Sequence, residues 1–181
     1  MMNTYVLFLR GVNVGGKNMI KMTELAHWME AMGFNHVKTY LQSGNVIFQS
    51  KLHDEEKLAQ QLEEMLWQKA ALNIPCQIRN VEDLKRINTL LDYYEATKLP
   101  TANLFVTLLS EPPSEENILK LKAIKTDDDV FYVHGREVIV VCQQPYHKTK
   151  LSNNVFERVL KVKATSRNDN TMRALLKAIT A

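Results

Sequence analysis

Apolar residues along the chain follow two alternating periods, and the switches between them outline the secondary structure. Residues 4–10, "TYVLFLR", are a β-rich apolar run. From Met22 to Met32 the apolar positions Met22, Leu25, Met29 and Met32 recur at helical spacing, and Gly33 closes that helix. "VKTYLQSGNVIFQS" reads as strand, turn and strand, because Gly44-Asn45 lies between β-branched and aromatic runs. Asp54, Glu55 and Glu56 suit the positive start of a helix whose apolar stripe is Leu58, Leu62, Met65 and Leu66. Asn73 and Pro75 stop it, "CQIR" resumes extended chain, and a helix from about Val81 to Leu91 follows. The order is βαββαβα.

The pattern then runs through the same order again. "ANLFVTLL" is a strand, and Pro112-Pro113-Ser114-Glu115-Glu116 starts a helix with Ser114 as N-cap, continued by Ile118, Leu121 and Ile124. "DVFYVHGREVIVVCQ" is strand, glycine turn, strand. "LSNNVFERVLK" is a helix, "VKATS" is extended, and Met172, Leu175, Leu176 and Ile179 mark a last helix. Arg79-Asn80 before Leu84 and Ile87 is matched by Arg167-Asn168 before Met172 and Leu175. The expected fold is therefore α+β: two tandem ferredoxin-like subdomains, 1–98 and 99–181, each an antiparallel sheet with helices on one face. Identity between the halves is slight, so the duplication is one of elements.

Composition changes this picture only at the margins. Hydrophobic residues make up 45% of the 181, and charged ones 24%, as in an ordinary soluble protein. No run approaches a membrane span. The start, "MMNTYVLFLRG", reads as a buried strand rather than a leader. Cys76 and Cys142 fall in predicted strands and match no metal spacing, which fits buried, reduced thiols in a cytosolic protein. The net charge of +3 is uneven: residues 1–51 carry +3, 52–147 carry −6, and 148–181 carry +6. The basic ends would form a phosphate-attracting patch if they meet; otherwise they are solvated helix faces.

"RGVNVGGKN" (10–18) opens like a phosphate-binding P-loop, but Asn18 stands where Ser or Thr should hold magnesium. The predicted strands also lack an acidic partner for the metal, so nucleotide hydrolysis is not expected. Topology gives the stretch a different interest. Strand 3 pairs antiparallel with strand 1 in such a sandwich, which places Gln42, Ser43, Gly44 and Asn45 beside Arg10, Asn13, Lys17 and Asn18. Two cations, several amides and the Gly15-Gly16 backbone could bind a phosphate or carboxylate. The alternative is purely structural: Gly15-Gly16 turn the chain, the asparagines make local turns, and Ser43-Gly44-Asn45 close the hairpin.

Three stretches, "LRGVNVGGKN", "YLQSGNVIF" and "TSRNDNT", in that order and spacing, resemble the bacterial family called domain of unknown function 1697. The resemblance runs from residue 5 to about 177. It implies a small cytoplasmic α+β protein of duplicated sandwich type, and no reaction. It makes Arg10, Gly11, Asn13, Gly15, Gly16, Lys17 and Asn18 the first motif, Gln42 to Asn45 the second, and Thr165 to Asn168 with Thr171 the third. The family carries Trp where Asp169 stands here, which removes any stacking role at that position.

Other chemistry finds no footing. His27, His36, His53, His134 and His147 have no ligand spacing, and no metal or cofactor is expected. Asp127-Asp128-Asp129 reads as a solvated turn. Base stacking as in an RNA-recognition sheet needs exposed aromatics on strands 1 and 3. Phe8 and Phe48 are instead expected in the core beneath the helices. The reading reached is an anionic small ligand held by Arg10, Asn13, Gly15, Gly16, Lys17, Asn18 and 42–45, with Arg167 and Asn168 joining if the strand ends converge. Its rival is a nucleic-acid-binding or protein-interaction module using the basic ends. The sequence leaves open the ligand, any catalysis and the oligomeric state.

Overall fold

A computed structural model describes residues 1–181. The elements are β1 (Asn3–Leu9), α1 (Met22–Ala31), β2 (Asn35–Tyr40), β3 (Asn45–Ser50), α2 (Glu55–Ala70), β4 (Cys76–Asn80) and α3 (Val81–Thr97). The order repeats as β5 (Asn103–Leu109), α4 (Glu115–Lys122), β6 (Val130–His134), β7 (Glu137–Cys142), α5 (Asn153–Leu160), β8 (Ala164–Asn168) and α6 (Asp169–Thr180). Two four-stranded antiparallel sheets result, β2-β3-β1-β4 and β6-β7-β5-β8, each with the ferredoxin-like order expected.

The chain forms two compact units, Met1–Leu84 with Leu175–Ala181, and Lys85–Ala174. That division falls within α3 and α6, whereas the element order repeats near residue 98. Nothing in α3 breaks it earlier: no Gly or Pro lies between Val81 and Thr97, and Leu84, Ile87, Leu91 and Tyr94 are all buried at helical spacing. The helix therefore runs past its expected end at Leu91.

In the first unit, register puts Tyr5 opposite Phe48 and Leu7 opposite Val46. Alternate residues of a strand share a face, so these meet Leu25 and Met29 of α1 and Leu58, Leu62 and Leu66 of α2 in one core. Each fully buried leucine contributes about 2 kcal/mol. The ends of α2 are set locally: Asp54 accepts from the Lys57 amide at 3.1 Å, and Ala71 leaves the helix in a left-handed conformation. In the second unit Val138, Val140 and Cys142 of β7 pack with Leu121 of α4 and Phe156 and Leu160 of α5. Ser114 and Ser152 cap α4 and α5, accepting from the Asn117 and Val155 amides at 3.2 and 3.4 Å.

The duplication reaches individual side chains. Val6 pairs with Arg79 in the first sheet and Val106 with Arg167 in the second. Both arginines are buried, and in both Nη1 donates to the preceding carbonyl, Ile78 at 2.9 Å and Ser166 at 2.8 Å. The asparagine after each caps the next helix: Asn80 accepts from the Asp83 amide at 2.9 Å and Asn168 from the Thr171 amide at 2.8 Å. Asp169 supplies a carboxylate to the first turn of α6, where the helix dipole favours it.

Two expectations need correction. Phe48 lies beneath the helices, but Phe8 alternates with Leu7 and Leu9 and so lies on the opposite face, where it is also 0% exposed. Neither ring can stack a base. Ahead of α1, Met19 is 66% exposed and Ile20 is buried. Asp129 is not a solvated turn residue. It is 1% exposed and accepts from the Gln143 amide (2.8 Å), Gln144 Nε2 (3.0 Å) and Thr149 Oγ1 (2.6 Å). Spacing cannot separate it from its exposed neighbours Asp127 and Asp128, because its burial depends on the 143–149 segment folding over it. Cys76 and Cys142 are both buried and form no disulfide, and burial pushes the Cys142 thiol up to about 11, with the Asp129 charge adding to it.

Candidate functional site

The 10–18 stretch folds into a miniature hairpin. Val14 bridges Lys17 antiparallel, with the Lys17 amide donating to the Val14 carbonyl at 3.0 Å. Gly15 and Gly16 turn it with φ of 58° and 73°, the paired left-handed conformation that two-residue hairpin turns require. Helix α1 begins only at Met22. No helix N-terminus therefore faces Gly16, and the likeness to a P-loop ends there.

Asparagines hold the hairpin at its base. Asn13 Oδ1 accepts from the Ile20 amide at 2.8 Å, and its Nδ2 donates to the Ile20 carbonyl at 3.0 Å. The same Nδ2 donates to the Gln42 carbonyl at 2.8 Å, joining the hairpin to the β2–β3 turn. Asn18 Nδ2 donates to the Gly11 carbonyl at 3.0 Å. From the other side, the Leu9 amide donates to the Gly44 carbonyl at 2.8 Å, and the Arg10 amide to the Pro75 carbonyl at 3.1 Å. Asn45, fully buried, donates to the Tyr40 carbonyl at 2.9 Å and to Ser43 Oγ at 3.0 Å. The two motifs do meet, as the topology required.

The motif residues thus divide by what they touch. Asn13, Asn18, Gly44 and Asn45 close the loops on each other. Lys17, Gly15, Gly16, Gln42 and Ser43 are exposed, and Arg10 is half-buried at the end of β1. In the second unit Arg167 is 8% exposed, and its Nη1 donates to Thr165 Oγ1 at 2.8 Å. Burial pushes its guanidinium down to about 10, still charged at neutral pH. Arg167 supports its own strand and Asn168 caps α6.

The cluster is also rich in left-handed backbone, four of its residues being glycines that adopt it freely. Seven of the thirteen positive-φ residues of the chain lie in it, including Asn13 (55°), Asn18 (49°) and Leu41 (62°). A left-handed conformation costs an L-residue about 1–2 kcal/mol, and only asparagine recovers part of that through local hydrogen bonds. Leu41 has no such recovery, and it is 55% exposed. Beside it in the same loops Val14 is 63% and Met19 66% exposed. Sequence reasoning passed over these three apolar residues. The signal available was their position inside a polar, turn-rich stretch, where no buried face could claim them.

Asn13→Ala is expected to destabilise the first unit by about 2 kcal/mol, since three hydrogen bonds vanish together and the Ile20 amide loses its acceptor. Thermal melting checks it. Asn13→Asp, which keeps the acceptor and loses both donors, should fall between alanine and wild type.

The fold resembles that of the conserved bacterial protein SP0830 from Streptococcus pneumoniae, with 24% identity, 98% of each chain covered and a TM-score of 0.73. At that identity the likeness shows the fold alone. No curated protein matches the chain. The family match that exists takes in both loop motifs and stops before Thr165. Because residues 2–139, more than half of the chain, match the family described as protein of unknown function DUF1697, the chain belongs to that family.

Proposed function

We propose that the two joined loops bind a small ligand carrying a phosphate or carboxylate group. The observation that supports this reading most is the concentration of left-handed backbone, with Leu41 strained in it, at an exposed, cross-braced surface. Energy stored in conformations such as that of Leu41 persists only where the surroundings hold it, and such sites cluster where ligands are gripped. Arg10 and Lys17 would supply positive charge, the Gly15 and Gly16 amides hydrogen bonds, and Gln42 and Ser43 orientation. Val14, Met19 and Leu41 suit a ligand with an apolar body beside its acidic group. Asn13, Asn18, Gly44 and Asn45 keep the loops in place before the ligand arrives, which lowers the ordering cost of binding. The buried cysteines, which form no disulfide, are compatible with the cytosolic setting this reading assumes.

A thermal-shift panel of nucleotides, sugar phosphates, acyl and carboxylate metabolites and short oligonucleotides tests it, on wild type and on the Arg10→Ala/Lys17→Ala double variant. A true ligand at about 100 times its Kd stabilises by about 2.7 kcal/mol. The double variant should melt near wild type without ligand and lose that shift. A variant that melts early, with no shift for any compound on wild type, overturns the proposal.

The exposed Val14, Met19 and Leu41 also favour a second reading, a protein-interaction surface on the same loops. Nucleic acid held by the basic ends is the remaining form of that rival. Oligonucleotide shifts that fade steeply with salt, and survive the double variant, would identify it.

A further inference from the structure

The outer strands of the two sheets are treated differently. In the first unit, β2 pairs with β3 with a register shift between Asn35 and Lys38, His36 sits at a φ of 49°, and Lys38 adds a charge. Bulges and lysines of this kind keep an edge from pairing with other chains. The corresponding strand of the second unit has neither. β6, "VFYVH", pairs with β7 in unbroken register from Val130 to His134, and it carries no proline and no Asp, Glu, Lys or Arg. No strand lies beyond it.

A groove of about 520 Å³ runs along this edge, between α4 and the β6 side chains. Leu119 of α4 is 66% exposed there and Tyr132 42%, and Val130, at the start of β6, is 43% exposed. Tyr94 stacks on Tyr132 at 4.5 Å between ring centroids, and its hydroxyl lies 2.8 Å from His134 Nε2. Tyr94 thereby supports Tyr132 and His134 on one face of β6, while no strand pairs with its outer side.

The edge is complementary to itself. An antiparallel copy centred on Tyr132 sets Tyr132 against Tyr132, Val130 against His134 and Phe131 against Val133, so every residue keeps its face and no like charges meet. Helix α4 shares this property. Its first turn holds Glu115 and Glu116 and its last turn Lys120 and Lys122. A two-fold axis reverses the helix, bringing Glu115 of one copy toward Lys122 of the other, with Leu119 between them. Both of these residues line the groove.

We propose that β6 pairs with β6 of a second copy across a two-fold axis, joining two four-stranded sheets into one of eight strands flanked by antiparallel α4 helices. Such an isologous contact closes on itself and makes a dimer rather than a fibre.

Sedimentation velocity on the full chain from about 1 to 200 μM tests the pairing. Wild type should show a concentration-dependent dimer. Tyr132→Lys, which puts two cations on the axis, should raise the dimer Kd at least about tenfold. Because Tyr132 also supports Tyr94, a second variant separates folding from pairing. Glu115→Lys lies at an exposed position and should weaken the dimer several-fold, and adding Lys122→Glu should restore it. A wild type that stays monomeric throughout, or a dimer indifferent to Tyr132→Lys, overturns the proposal. So does a double charge swap as weak as the single one.

Discussion

Replacing Gly44 by alanine is expected to lower the stability of the first unit by about 3 kcal/mol, the largest effect of any single methyl group at the loop cluster. Two independent causes add. Gly44 has a φ of +84°, where an L-residue costs about 1–2 kcal/mol. A Cβ built there would also lie 2.7 Å from Val12 Cγ2 and 2.8 Å from Leu9 Cβ, both on buried residues of the core. Overpacking of that kind costs a further 1–3 kcal/mol or so. The melting temperature should fall by roughly 6–12 °C. Gly15→Ala makes the contrast, since nothing lies within 4 Å of its added carbon and only the φ penalty of its +58° conformation remains. If both variants melt alike, the close approach of the β2–β3 turn to Leu9 and Val12 is wrong.

Asp129→Ala is expected to cost the second unit about 3 kcal/mol as well. The carboxylate is buried and takes three hydrogen bonds, one from a backbone amide and one from the buried Thr149 hydroxyl. Truncation leaves those donors without an acceptor, and each such loss in a buried setting costs about 1–3 kcal/mol. Asn should cost less than Ala, because its oxygen still accepts while its amide nitrogen meets one donor too many. The Thr149 hydroxyl can turn, as it also accepts from the Leu151 amide at 3.2 Å. Denaturant melts of the three proteins give the ranking. An alanine variant within about 0.5 kcal/mol of wild type, the range of ordinary surface changes, would show that the network does not hold the 143–149 segment.

The elements were legible wherever one period governed a stretch. The stripe of Leu58, Leu62, Met65 and Leu66 with Asp54 ahead of it defines α2 from either end, and Ser114 marks the start of α4. The repeat of order, and with it the antiparallel meeting of strands 1 and 3, led to the contact between residues 10–18 and 42–45. What escaped depended on partners far along the chain. The brace from Asn13 to the Gln42 carbonyl spans 29 residues, and an asparagine in a glycine-rich stretch looks the same with or without it. Phe8 was placed in the core on hydrophobicity alone, which does not say which face it occupies. The left-handed Leu41 has no sequence signature, since leucine is among the last residues a turn would select for that conformation. Compact division within α3 was hidden for the opposite reason. Its helical pattern is continuous, and continuity conceals a change of surroundings.

The most direct test of the central proposal, that the braced loops form an anion site, is a residue-resolved titration. Amide spectra of nitrogen-15-labelled protein would be recorded with pyrophosphate and with a short-chain carboxylate at fixed ionic strength. Saturable shifts confined to Gly11–Asn18 and Gln42–Asn45, and absent from the Arg10→Ala/Lys17→Ala variant, are the expected result. Shifts scattered over the lysines of residues 148–181, or none in the two loops at millimolar ligand, would contradict it.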